Sequence, residues 1–105
     1  MADGLADLTM DRRQSWSKKY ITKLDPQHSN LVIQTDGGLR EGDCAAAAWI
    51  AGLWGRLDGA PLFEPLMVQG TFLESNVSVF SAEAIALDEA TTAVDNLIQQ
   101  WHLSV

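Results

Sequence analysis

The 105-residue sequence holds a single cysteine, Cys44, which excludes a disulfide within the chain and fits a reducing compartment. Cys44 stands beside four alanines, Ala45 to Ala48, and reads as a small apolar filler rather than a nucleophile. Long apolar runs are missing too. The longest, Cys44 to Leu53, is about half the roughly 20 residues that a membrane-spanning helix needs, and Gly55 and Arg56 soon follow it. The opening stretch, MADGLADLTMDRR, carries acids where a secretory leader carries bases and an apolar segment, so the expected location is intracellular. Neither an internal repeat nor a low-complexity tract occurs, and the length suits one domain.

Positive charge is scarce and confined to one end. Residues 1–23 carry five bases (Arg12, Arg13, Lys18, Lys19, Lys23) against three acids, a net of +2. Residues 24–105 carry only Arg40 and Arg56 against eleven acids, a net of −9. Such a body repels a polyanion unless metal ions or the basic end intervene.

What is present falls into a lead-in and a patterned domain. Residues 1–29 are polar and close on the turn cluster Asp25-Pro26-Gln27-His28-Ser29-Asn30, with His28 a solvated loop residue. Trp16, Tyr20, Ile21 and Leu24 fall at near-helical spacing and predict a short amphipathic helix from about 12 to 24. From Leu31 the pattern changes. Leu31 to Asp36 is rich in β-branched residues and runs into Gly37-Gly38, which predicts a strand ending in a turn. Ala45 to Trp54 predicts a second strand. Asp58-Gly59 is a hairpin signal leading to a third, Leu62 to Leu73, whose Pro65 suits an edge or a bulge. Phe80, Glu83, Leu87, Ala90, Val94, Leu97 and Trp101 follow helical spacing, with Asn76, Ser78 or Ser81 available as a cap.

Two acids are oddly placed in this reading. Asp36 closes an apolar strand, and Glu83 opens the inward stripe of the helix. If the helix packs with its first turn near the strand end, the two carboxylates converge, and a hard divalent cation would offset the cost of holding them there. Each acid has a plainer explanation when taken singly. Asp before Gly-Gly is a common turn starter, and Glu early in a helix favours the positive end of the macrodipole.

Val32-Ile33-Gln34-Thr35-Asp36-Gly37-Gly38 resembles the first strand of type 1 ribonuclease H domains, in which an apolar strand leads into Thr-Asp-Gly. The small-residue strand Ala45 to Ile50 and the run Ser81-Ala82-Glu83-Ala84-Ile85-Ala86-Leu87 are similar to the family's next strand and to the opening of its first helix. The resemblance covers roughly residues 31–101. It implies an α/β, ribonuclease H-like fold in partial form: a three-stranded antiparallel meander followed by one helix packed on the sheet. Residues 1–29 would be the lead-in and residues 30–105 the partial domain.

It also implies a metal-dependent endonuclease for RNA–DNA hybrids, in which Asp36 and Glu83 are catalytic and hold Mg²⁺ or Mn²⁺. The family uses two ions and four carboxylates, and the sequence stops at Val105, where the fourth strand would begin. Asp88 and Asp95 fall on the solvated side of the helix, and His102 at its end matches no family histidine. The isolated chain is therefore expected to be inactive. The alternative expectation is a non-catalytic remnant or protein-interaction module that uses an exposed sheet edge, with self-association through strand 31–35.

Overall fold

The hairpin turns between the strands are set by residues that accept left-handed backbone. Asp58 and Gly59 both have positive φ (52° and 82°), the geometry that joins two antiparallel strands through a two-residue loop. The computed structural model describes residues 2–74 and 78–103. Helix α1 (Leu5–Arg12) and strand β1 (Trp16–Lys19) come first, then a 3₁₀ turn at Pro26–His28. Strands β2 (Asn30–Arg40), β3 (Cys44–Leu57) and β4 (Ala60–Leu73) follow, and helix α2 (Val79–Leu103) closes the order. The four strands make one antiparallel sheet in the order β1-β4-β3-β2. The α/β class and the β2–β3–β4 meander with a helix after it match expectation. A fourth strand and a second helix add to it.

Both additions come from the lead-in. The helix expected over 12–24 is absent; α1 lies earlier and ends at Arg13, whose φ of 54° breaks the helical path. After that break the chain extends, and Trp16 to Lys19 pair with Gly70 to Met67 of β4. Tyr20 continues the pairing by donating its N–H to the Leu66 carbonyl. Of the residues whose spacing suggested a helix, only Trp16 lies in the edge strand; Tyr20, Ile21 and Leu24 follow it outside regular structure. Trp16 and Lys18 share the face that α1 covers, and Lys18 lies over the Tyr20 ring.

The sheet is covered on both sides. Ala46 and Ala48 of β3 pack with Ala6 and Met10 of α1, whereas Trp49 and Ala51 pack with Ala90 and Val94 of α2. Thr9 fastens α1 in place. It is fully buried, its hydroxyl donates to the Leu5 carbonyl at 2.8 Å and accepts from the Trp16 indole at 2.9 Å. Gly70 lies directly beneath this pair, and a Cβ there would collide with both side chains. One cost is not offset among the described residues: the buried Trp49 indole N–H has no hydrogen-bond partner.

Three expectations about the elements need correction. β2 does not end at Gly37-Gly38; it runs on to Arg40, with Gly37 paired to Ala47 and Gly38 to Ala46. The glycines serve close packing on the two faces, not a turn. Pro65 does mark a bulge, since Gly52 pairs with Pro65 while Ala51 pairs with Met67. β4, however, is an interior strand. Its proline is tolerated because the β1 register extends only to Met67 and needs no N–H from Pro65. Finally, the inward line of α2 is Ala82, Ala86, Ala90 and Val94, all buried, whereas Phe80, Glu83 and Leu87 are exposed. Ser78 caps the helix, its hydroxyl accepting the Ser81 N–H at 3.1 Å; Asn76 lies outside the described residues.

Replacing Thr9 by the isosteric valine should leave the Trp16 indole N–H unpaired under α1. We expect a loss of about 1–2 kcal/mol in denaturant unfolding, against a negligible change for Thr91→Val, whose hydroxyl is exposed on α2.

Candidate functional site

Odd and even residues of β2 face different helices, and this decides where the expected acids sit. Gly38 faces α1, where a Cβ would meet Met10 and Ala6, and Gly37 faces α2, where a Cβ would meet Glu83. Asp36 therefore shares the α1 face, and its Oδ2 accepts the Ala6 N–H at 3.2 Å. Ala6 belongs to the first turn of α1, where free N–H groups and the positive end of the macrodipole favour a carboxylate. Glu83 stands on α2, on the other face. The two side chains do not converge at a strand end, because Asp36 lies inside β2 and leaves the sheet away from α2.

Both border the outer edge of the sheet instead. β2 is the outermost strand on its side, and Thr35, Asp36, Phe80, Glu83, Ala84 and Leu87 line one open pocket of about 510 Å³ against that edge. The contact that builds the pocket is very close. A Cβ on Gly37 would stand 2.8 Å from the Glu83 backbone nitrogen and 2.7 Å from its Cγ. Only glycine fits under the helix there. The Thr-Asp-Gly segment and the Ala-Glu-Ala segment, picked out separately along the sequence, thus press directly on one another.

The surrounding charges are mostly engaged. Arg40, at the end of β2, is ion-paired with Asp11 at 2.7 Å, and the Asp11 hydrogen bond raises its already high pKa. Arg13 pairs with Asp43 at 3.0 Å, with a rise of the same origin. Lys18 and Lys19 stand on β1, three strands from β2, or about 14 Å away at the usual strand spacing. Asp88 and Asp95 are exposed on α2. His28 meets Asp25 in the exposed turn; that hydrogen bond and then the Gln27 N–H hold the Asp25 carboxyl below its ordinary pKa. His102 falls in the last turn of α2. Among the described residues no group of three or more His, Cys, Asp or Glu side chains is placed to hold a metal ion.

One acid was missed by pattern reasoning. Glu89, which lies off the apolar stripe of the helix, leans onto β4 and accepts hydrogen bonds from Gln69 Nε2 at 2.7 Å and Thr71 Oγ1 at 2.8 Å. The signal was the pair of polar residues two apart on one face of an interior strand, which need a partner there.

No family model, no curated protein and no solved structure matches this chain.

The Gly37 contact is directly testable. Gly37→Ala forces a methyl against helix backbone and should destabilise by about 1–3 kcal/mol. Gly38→Ala meets only the flexible end of Met10 at 2.7 Å and the Ala6 methyl at 3.1 Å, so it should cost clearly less. Paired thermal melts of the two variants decide the order.

Proposed function

We propose that this chain is a ribonuclease H-like domain that carries two carboxylates of a divalent-metal site for RNA–DNA hybrid cleavage, Asp36 and Glu83, and that it does not cleave by itself. The observation that carries this reading is the contact of Glu83 with Gly37, which brings the two motifs of the resemblance to one pocket.

Two carboxylates would serve one ion and not two. Mg²⁺ takes oxygen ligands and keeps several waters when only one or two carboxylates hold it. Asp36 already accepts one N–H through Oδ2, and Glu83 is exposed at the pocket rim. A bound ion would polarise a phosphoryl oxygen and acidify a water. A two-metal clamp needs further carboxylates, and none accompanies these two among the described residues. Among the described residues the acidic body also offers no unpaired base beside the pocket to draw in a polyanion.

Manganese titration followed by electron paramagnetic resonance, beside a hybrid-cleavage assay on the same sample, tests both halves. Weak binding at one site should be lost in Asp36→Asn and in Glu83→Gln, with no cleavage above background. Binding that survives both substitutions would remove the site. Metal-dependent cleavage abolished by Asp36→Asn would refute the inactive state.

A second reading, an interaction module that works through the edge of β2, is favoured by a different observation. Phe80 (83 % exposed) and Leu87 (58 %) project from α2 beside that edge, together with Ile33 (38 %) of β2 itself. So much apolar surface in one band is typical of a binding face.

A further inference from the structure

The two edges of the sheet are built differently. The β1 edge is four residues long and ends in Lys18-Lys19, a short charged border that resists pairing with other strands. The β2 edge is eleven residues long, from Asn30 to Arg40, or about 36 Å of strand. It has no strand beyond it among the described residues, no proline and no lysine. Its single acid, Asp36, turns toward α1 and takes the Ala6 N–H, so it does not guard the edge.

We propose that β2 pairs antiparallel with β2 of a second copy of this chain, joining two four-stranded sheets into one of eight. The inference rests on the interaction-module reading and names its partner. The strand's own register favours a second copy. If both α2 helices lie on the same face of the joined sheet, residues of odd number pair with odd and even with even. Pairing all eleven residues then allows one two-fold arrangement, centred on Thr35. That arrangement sets Leu31 opposite Leu39, Ile33 opposite Gly37 and Val32 opposite Gly38. It sets Asp36 opposite Gln34 and Arg40 opposite Asn30, so no like charges face each other. Shifting the centre to Asp36 would place two carboxylates together.

The helix fits the same dyad. α2 runs antiparallel to β2, with Glu83 over Gly37 and with Ala90 and Val94 against Leu31. Leu87 lies between and shares the edge pocket with Thr35. A two-fold axis through Thr35 therefore brings Leu87 toward Leu87 of the second copy, and Glu83 level with the exposed Thr91 rather than with another acid. The exposed apolar flank of α2 is covered by its own likeness. The net charge of −7 on each chain opposes association at low salt, so the dimer should tighten as salt screens that repulsion.

Sedimentation velocity of the 105-residue chain over a range of concentrations, with hydrogen exchange followed by mass spectrometry, provides the test. The expected result is a monomer–dimer equilibrium that strengthens with salt, in which amides of Asn30–Arg40 gain protection as dimer forms. Leu87→Glu places two carboxylates at the dyad and should weaken the dimer by roughly tenfold or more. Leu87 is exposed, so the monomer should keep its circular dichroism. Ile33→Lys, which gives β2 the kind of charge that β1 carries, should act in the same direction. Ile21→Glu, a change at a residue 96 % exposed beyond β1, should leave the dimer intact. A monomer at every concentration overturns the proposal, as does a dimer that responds to Ile21→Glu and not to Leu87→Glu. Manganese binding is read separately, so a monomer that still binds the ion through Asp36 and Glu83 overturns the dimer alone.

Discussion

Alanines line much of the contact between β3 and the helices on either side of it, with Trp49 and Leu53 the larger side chains on the α2 face. Ala46 and Ala48 carry α1, while Ala47 and Ala51 lie on the face beneath α2. The helices answer in kind, α1 with Ala6 and α2 with Ala82, Ala86 and Ala90. Where both sides of a contact are small, the backbones come close, and the groups positioned there inherit that closeness. The glycine at position 37 is one result, and the pocket at the edge of β2 is another.

The same closeness explains why the two carboxylates end up where they do. A helix seated lower on the sheet hangs over the outermost strand, so its flank reaches past β2. Glu83 rides on that flank. Asp36, one residue from the glycine that admits the helix, must point the other way and finds α1. The outcome is a pair of acids related through an edge, with the strand backbone between them. Such a pair is open to solvent, unlike the closed cage that holds an ion with protein ligands alone.

Much of this was legible in the sequence, and the failures share a cause. The β2–β3–β4 meander was readable because strand periods and turn residues are local properties; Asp58-Gly59 is the clearest case. The phase of α2 was misjudged by following the larger apolar residues, Phe80 and Leu87, inward. The contact selects for size and not for hydrophobicity, so the alanines one step round the helix face the sheet. Gly37-Gly38 looked like a turn for the same reason: glycine admits a close neighbour as readily as it admits a bend. The lead-in was misread because its register depends on β4, fifty residues away in sequence, and no local pattern carries that information. The candidate acids were found from their motifs, whereas their placement on opposite faces follows from a strand that continues where it was expected to stop.

A core tiled with alanine has a thermal signature of its own. Each alanine brings little hydrocarbon out of water when the chain unfolds, and the heat-capacity increment of unfolding follows the apolar area exposed. A small increment flattens the dependence of stability on temperature. The alanines of β3 and α2, which set how near the helices lie, therefore also set how evenly the fold holds between cold and warm.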